Sequence, residues 1–177
     1  MKTFSVIVAC SLNGGIGNDN TIPWYIPDDL KHFKTITSYC PDACCNVVIM
    51  GRNTWNSLPK KPLPNRINII VSGTLSNDKI QRYENTFIVS SLDDALTLTS
   101  TLHNIHNVFV IGGCQLYKEA LQHSLCDKVF VTHILKYVPC NVTFPTETLF
   151  TMFPICHEGP INMYNDYSYT FSLYTKQ

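Results

Sequence analysis

The chain has 177 residues, near the usual size of one domain. Hydrophobic residues make up 45% of it and charged residues only 15%, which excludes an intrinsically disordered chain. Thirteen basic residues balance thirteen acidic ones, so the chain lacks the positive charge of a protein that binds nucleic acid or an anionic membrane surface. We therefore expect one monomeric domain over residues 1–177, in which a local site holds any anionic ligand.

The eight cysteines and the N-terminal segment bear on the cellular compartment. A chain of this length can fold on its hydrophobic core without a disulfide framework. The apolar run at residues 4–10 is short and no small-residue cleavage site follows it, as is typical of a buried strand. No stretch approaches the roughly 20 apolar residues of a membrane-spanning helix. We expect a cytoplasmic protein with reduced thiols and no membrane partner.

Strand-like and helix-like segments alternate along the chain. Apolar runs predict strands at residues 4–10, 46–50, 67–71, 86–89, 108–111 and 129–135. Helices are predicted over 27–38, from Arg52, over 92–102 and over 115–122, and residues 11–24 are predicted to be a long irregular loop. Weaker alternation at 152–157 and 167–175 predicts an antiparallel hairpin. The pattern predicts an α/β fold: a mostly parallel twisted sheet with helices on both faces and a C-terminal antiparallel hairpin.

Two strand-to-helix junctions share one design. Gly51 and the Gly112-Gly113 pair each stand between an apolar strand and a helix start, at the strand ends where parallel α/β sheets bind ligands. Glycine admits a ligand to the backbone, and a helix N-terminus offers free N–H groups to a phosphate. The pair of junctions fits a dinucleotide, and Arg52 fits a further phosphate such as the 2′-phosphate of NADP, although the G-x-G-x-x-G fingerprint is absent. Alternatively, the glycines are plain turn residues and Arg52 is a solvated charge.

The adjacent acids Asp28 and Asp29 lie on different faces of the first predicted helix. Asp29 aligns with Phe33 and Ile36 on the apolar stripe, whereas Asp28 aligns with polar residues. A carboxylate on that stripe is costly to bury without a hydrogen bond, and burial raises its pKa. The preceding residues 22–24, Ile-Pro-Trp, resemble part of a lid that excludes water from a reaction. The alternative is a first-turn acid that only complements the helix dipole.

Metal-binding patterns are weak. His103 and His106 have a spacing possible for a metal pair, but no cysteine or acidic partners stand at matching intervals. Cys40, Cys44 and Cys45 do not form the doubled C-x-x-C pattern of a zinc site. We therefore predict no metal.

Together these motifs resemble the dihydrofolate reductase family. The matching segments occur in family order from Phe4 to Tyr174: IVA at 7–9, GIG at 15–17, IPW at 22–24, DLKHF at 29–33, VIMGRNTW at 48–55, NRIN at 65–68, IGG at 111–113, LY at 116–117 and FVT at 130–132. The resemblance implies the single-domain fold of that family. It also implies an enzyme that reduces 7,8-dihydrofolate to tetrahydrofolate with NADPH, by hydride transfer to C6 and protonation at N5, in support of one-carbon and thymidylate metabolism.

The resemblance implies substrate-side roles for individual residues. It implies that Asp29 binds the pterin 2-amino group and N3 and promotes protonation at N5, with Thr132 hydrogen-bonded to that carboxylate. It implies that Arg66 binds the α-carboxylate of the substrate's glutamate, which the planar guanidinium fork suits. The implied catalytic residues are Asp29, Ile22, Tyr117 and Thr132, and the further implied substrate contacts are Ile7, Val8, Phe33, Leu58 and Ile111.

The resemblance also implies a set of NADPH contacts. Ala9 and Ile16 are implied contacts of the nicotinamide, and Ser72 of the adenosine 2′-phosphate. The other implied cofactor residues, most of them around the phosphates, are Gly17, Gly51, Arg52, Asn53, Thr54, Val71, Gly112, Gly113, Gln115, Leu116 and Tyr117.

Two other functions fit the same fold. The first is the pyrimidine reductase of riboflavin synthesis, against which the Ile-Pro-Trp segment, Asp29 and Arg66 weigh. The second is a catalytically silent folate-binding or nucleotide-binding protein, since a fold does not by itself establish a function. Oxidation of NADPH on addition of dihydrofolate distinguishes the three.

Overall fold

The structure is a computed structural model that describes residues 2–74 and 83–176. Within these residues the strands are β1 (Phe4–Ser11), β2 (Gly15–Gly17), β3 (Cys45–Gly51), β4 (Arg66–Val71), β5 (Thr86–Val89), β6 (Ile105–Val110), β7 (Cys126–Ile134), β8 (Val142–Thr143), β9 (Ile155–Glu158), β10 (Asn162–Tyr164) and β11 (Tyr167–Thr175). The helices are α1 (Pro27–Ser38), α2 (Arg52–Ser57), α3 (Leu92–Thr101), α4 (Cys114–Gln122) and α5 (Thr146–Met152).

Nine of these strands form one mixed sheet. Its order is β10-β11-β7-β1-β6-β3-β4-β5. The strand β9 also pairs with β11, on the same side as β10 but further along the strand. The six strands from β7 to β5 run parallel, while β9, β10 and β11 add antiparallel pairs at one edge. This arrangement confirms the predicted α/β fold. Because the central strands are apolar on both sides, they must be covered on both faces.

Alternate residues of the central strands supply two separate cores. On one face Val47 and Ile49 of β3 pack with residues of α3 and α4, including Leu96 and Leu121. On the other face Val48 and Met50 pack with Trp55 of α2 and with Phe33 of α1. The period of two in the strand decides which core each side chain enters. The helices on both faces therefore follow the sequence prediction.

Two sequence predictions of local structure were wrong. Within residues 11–24, predicted to be irregular throughout, Gly15–Gly17 forms β2 and pairs with β8. Met152, predicted to open a strand, instead ends α5, and the strand β9 begins at Ile155. The pairing of β2 with β8 joins segments far apart in the chain, which local periodicity does not register. The end of α5 is instead held by local backbone hydrogen bonds, such as that from the Phe153 N–H to the Leu149 carbonyl at 2.9 Å.

Two further observations bear on the predicted compartment and on the predicted reduced state of the cysteines. No helix in residues 2–74 and 83–176 is long and apolar enough to cross a membrane. All eight cysteines lie within the described ranges, and each is a free thiol.

Candidate active site

The parallel strands end at one edge of the sheet, and the candidate residues meet there. Ala9 of β1 is the register partner of Thr132 of β7. At the end of β6, the Ile111 N–H donates to the Ile49 carbonyl of β3 at 2.9 Å. Ligands of open α/β sheets bind beyond such carboxyl ends. The fold thus brings together segments that lie more than one hundred residues apart.

Asp29 stands in the first turn of α1, facing β7. Its side chain is partly buried, and burial raises the pKa of its carboxyl group above the usual value. A hydrogen bond with the Thr132 side chain acts in the opposite direction, because it favours the ionised form. The structure therefore places Asp29 beside Thr132, the contact that the family resemblance implies, whereas the apolar stripe of α1 predicted only that Asp29 points inward.

Asp28, its neighbour, faces another part of the molecule. Its side chain is exposed, and its Oδ2 accepts a hydrogen bond of 2.9 Å from the hydroxyl of Tyr169. The sequence separates the two acids correctly but does not identify this partner, which lies 141 residues away. The two acids of α1 therefore differ in both burial and hydrogen-bond partner.

An apolar wall lies beside Asp29. Ile7 and Ile111 belong to the buried cluster of that sheet face, and Phe33 and Leu58 pack against it. Val8, predicted with them as a substrate contact, points its side chain into the core of the opposite face. Successive residues of a strand point to opposite faces, so only the backbone of Val8 can face the site.

Arg66 is a buried cation at the far end of this wall. It is 5% exposed, and its guanidinium donates to Thr37 Oγ1 at 2.7 Å and to the Pro64 carbonyl at 3.0 Å. It also lies 5.9 Å from the Phe33 ring centroid. Among the residues that the structure describes, no carboxylate forms an ion pair with it. Because a buried charge requires compensation, Arg66 is suited to an incoming carboxylate.

The two glycine junctions predicted from the sequence are in direct contact. The Gly51 N–H donates to the Gly112 carbonyl at 2.7 Å, and a cis peptide bond joins Gly112 to Gly113. Gly112 has a φ of +126°, and a Cβ there would lie 3.2 Å from Thr54 Oγ1 and 3.3 Å from Tyr117 Oη. A side chain at Gly112 would therefore be both strained and crowded. Tyr117 itself is buried and donates to the Ile7 carbonyl at 2.9 Å, which connects the junction to the apolar wall.

Comparison with known proteins assigns the chain to a family. A sequence profile described as "Dihydrofolate reductase" matches residues 3–176. The chain is 43% identical over 152 residues to the dihydrofolate reductase of Schistosoma mansoni, an alignment that covers 80% of this chain and 77% of that protein. The chain belongs to the dihydrofolate reductase family.

Other members of the family show how the chain relates to larger proteins. It is 36% identical over 156 residues to the dihydrofolate reductase of Pneumocystis carinii, covering 81% of this chain and 74% of that protein. It is 41% identical over 150 residues to the bifunctional dihydrofolate reductase-thymidylate synthase of Daucus carota, covering 81% of this chain. The chain spans only 28% of that bifunctional relative and 30% of the one from Arabidopsis thaliana.

The remaining predicted residues of this dihydrofolate reductase family member differ in exposure. Arg52 is exposed, and its guanidinium donates to the Thr74 hydroxyl at 2.5 Å. The Thr74 N–H in turn donates to Ser72 Oγ at 3.3 Å, so both residues predicted for the 2′-phosphate adjoin Thr74, which the sequence reasoning missed. Asn53 and Gln115 are exposed, Val71 ends β4, and the Leu116 side chain is buried in the core of the α3–α4 face.

The segment before α1 carries the predicted lid residues. Ile16 and Gly17 lie in β2, whereas Ile22 is 61% exposed and belongs to none of the buried clusters of the described residues. The indole N–H of Trp24 is buried and has no hydrogen-bond partner within residues 2–74 and 83–176. Since buried donors are nearly always satisfied, this N–H is available to a ligand or an ordered water.

The candidate metal ligands do not converge. His103 and His106 are both exposed. Across the described part of the chain, no three histidine, cysteine or acidic side chains are grouped so that they could hold a metal ion.

Proposed function

We propose that this chain reduces 7,8-dihydrofolate to 5,6,7,8-tetrahydrofolate with NADPH, by hydride transfer to C6 and protonation at N5 of the pterin. Membership of the dihydrofolate reductase family supports the reaction class. The observation that carries the proposal is Asp29, a partly buried carboxylate hydrogen-bonded to Thr132 beside an apolar wall.

Asp29 is suited to hold a flat nitrogen heterocycle. A carboxylate accepts hydrogen bonds from two adjacent N–H donors, which matches the 2-amino group and N3 of a pterin. The pKa of Asp29 is raised by burial, so its proton affinity is closer to that of a group that serves as an acid near neutral pH. We therefore assign to Asp29 the orientation of the pterin and the promotion of protonation at N5, and to Thr132 the orientation of that carboxylate.

Ile7, Phe33, Leu58 and Ile111 supply the apolar surface of the pterin and aminobenzoyl site in this proposal. Their common cluster supports the assignment. The buried guanidinium of Arg66 binds the α-carboxylate of the glutamate, for which the structure offers no competing protein carboxylate among the described residues. Burial lowers the pKa of Arg66, but a guanidinium remains protonated throughout the physiological range.

The residues at the glycine junctions fit NADPH. Gly51, Gly112 and Gly113 present backbone without side chains at adjoining strand ends, and a Cβ at Gly112 would crowd this surface. We assign the pyrophosphate to these junctions with Asn53, Thr54 and Gln115, and the 2′-phosphate to Arg52 and Ser72. When bound, NADPH supplies the hydride for C6 of the pterin. Ala9, Ile16, Gly17, Val71, Leu116 and Tyr117 complete the proposed cofactor set, and Ile22 the proposed lid.

The cellular setting is part of the same proposal. Tetrahydrofolate feeds one-carbon transfer and thymidylate synthesis, which we take as the role of this activity. The free thiols support a reducing cytoplasmic environment. We further propose that residues 1–177 act as one monomeric catalytic domain, of which residues 75–82 and the two terminal residues lie outside the described ranges. Light scattering of the purified chain tests whether it is a monomer.

Steady-state oxidation of NADPH tests the function directly. Addition of dihydrofolate to enzyme and NADPH should give a steady loss of the reduced-nicotinamide absorbance and one tetrahydrofolate per NADPH consumed. Binding of both ligands with a flat absorbance trace would establish the silent binding protein instead. Turnover only with the deaminated pyrimidine intermediate of riboflavin synthesis would establish the alternative reductase.

A further inference from the structure

The first turn of α1 is attached to the antiparallel edge of the sheet by one buried phenol. Tyr169 of β11 is 1% exposed, and its hydroxyl donates to Asp28 Oδ2 at 2.9 Å. α1 has no side-chain N-cap, since Ile26 occupies the N-cap position and Pro27 follows it. The helix start therefore lacks the usual local anchor, and Tyr169 supplies an anchor from another part of the fold.

A second contact between α1 and β11 lies one helical turn further on, and we call the two contacts together the α1–β11 seam. The His32 ring stacks on the Phe171 ring, with centroids 4.0 Å apart and an interplanar angle of 23°. Phe171 is also the register partner of Thr132, the residue that holds Asp29. Tyr169, Phe171 and Thr132 thus lie on one face of two neighbouring strands, directly beneath the first turns of α1.

We propose that Tyr169 is a positioning residue for the reaction: by holding Asp28, it fixes the rotation of the first turn of α1 and thereby keeps the Asp29 carboxylate against Thr132. This inference rests on the proposed function of Asp29. Adjacent residues of a helix differ by about 100° around its axis, so fixing the direction of Asp28 fixes that of Asp29.

The energetics require such an anchor. Burial disfavours the ionised form of Asp29, so a loose first turn would rotate its carboxylate toward water. The Tyr169 hydroxyl is itself buried and must keep an acceptor. Burial, the hydrogen bond to Asp28 and the charge of Asp29 all raise the pKa of Tyr169, so it remains a donor at physiological pH. His32, whose ring stacks on Phe171, is a further titratable group at this contact, and burial lowers its pKa.

A double-mutant cycle tests the pair. Tyr169→Phe and Asp28→Ala should each lower kcat on the order of tenfold, with a smaller change in the dihydrofolate KM, because a misplaced catalytic group slows the chemical step. The double variant should be no slower than either single variant, since both remove the same hydrogen bond. Asp28→Asn keeps an oxygen acceptor and should retain most of the activity. Independent, multiplicative losses would overturn the proposal.

Tyr174 offers a matched control on the same strand. It is 8% exposed, and its hydroxyl bonds His133 Nε2 at 2.9 Å on the opposite face of the sheet. Tyr174→Phe removes a hydrogen bond of equal length from β11 but should leave kcat at the wild-type value. An equal loss of kcat in Tyr174→Phe would assign the effect to general loosening of the strand and overturn the proposal.

A measurement that needs no turnover separates this inference from the proposed function. Carboxyl-carbon NMR titration of the ligand-free protein should show the Asp29 pKa of Tyr169→Phe moving down toward the ordinary aspartate value. A looser turn admits water to the carboxylate, and because burial is the larger of the two causes that act on this pKa, its relief outweighs the loss of the Thr132 hydrogen bond. An unchanged Asp29 pKa would overturn the inference. If wild-type protein fails to reduce dihydrofolate while this pKa still moves, the proposed function fails, whereas the structural part of the inference, that Tyr169 keeps Asp29 in place, stands.

Discussion

The proposed substrate side and the proposed cofactor side of the candidate site present different chemical groups to a ligand. On the proposed substrate side, Asp29 and Arg66 are charged side chains withdrawn from water, held by Thr132 and Thr37 respectively. On the proposed cofactor side, the same edge of the sheet presents glycine backbone, and its charged residue Arg52 is exposed. Buried charge recognises a ligand by side-chain chemistry, whereas bare backbone recognises it by shape. Substitutions on the substrate side should therefore change kcat or the dihydrofolate KM, whereas substitutions on the cofactor side should change the NADPH KM.

The largest expected effect is on Asp29, the partly buried acid. Asp29→Asn should lower kcat at neutral pH by about a hundredfold or more, because the amide cannot promote protonation at N5. Steady-state NADPH oxidation measures the loss, and the exposed neighbour provides the matched control. Asp28→Asn should lose far less; equal losses in the two variants would contradict the assignment of Asp29 to the pterin.

Arg66 tests the other buried charge. Arg66→Ala should raise the dihydrofolate KM roughly tenfold to a hundredfold, since a charge-assisted hydrogen bond contributes about 1.5–3 kcal/mol. The KM for NADPH should stay close to its wild-type value. In the matched variant Arg52→Ala, the two effects should be reversed, with a higher KM for NADPH and an unchanged KM for dihydrofolate. An unchanged dihydrofolate KM in Arg66→Ala would remove its proposed role.

Gly112 tests recognition by shape. Gly112→Ala should raise the NADPH KM about tenfold, because a Cβ would crowd Thr54 and Tyr117 and this sparsely populated positive φ disfavours a side chain by about 1–3 kcal/mol. Gly73 is the control, since a Cβ there meets no atom within 4 Å. If Gly73→Ala raises the NADPH KM as much as Gly112→Ala does, the absence of a side chain at Gly112 is not what NADPH binding depends on.

The smallest expected effect concerns stability. Because the folded state raises the pKa of Asp29, the folded protein binds this proton more tightly than the unfolded chain does, and the free energy of unfolding falls as pH rises from about 3.8 through the raised pKa. Asp29→Asn removes this decline. Urea unfolding at several pH values should show the variant gaining stability relative to wild type as pH rises. A constant difference across that range would mean that Asp29 is not desolvated.

Much of the site could be predicted from local sequence signals. Proline followed by two acids marked the start of α1, and the apolar stripe separated Asp29 from Asp28. Glycines at the ends of apolar runs marked both junctions. The residue roles at these positions came from the family resemblance and stay predictions. The partners of the charged groups could not be predicted, since Thr37 lies 29 residues from Arg66 and Tyr169 lies 141 residues from Asp28.

The amino-acid sequence by itself determined the alternation of strands and helices, the direction in which Asp29 points and the two glycine junctions. These features follow from short-range periodicity and from the backbone preferences of single residues. Only the tertiary structure decided that the junctions touch through Gly51 and Gly112, that residues 15–17 form a strand, and that Tyr169 holds Asp28. These contacts exist because the sheet order places distant segments side by side, and no local pattern records which strands become neighbours.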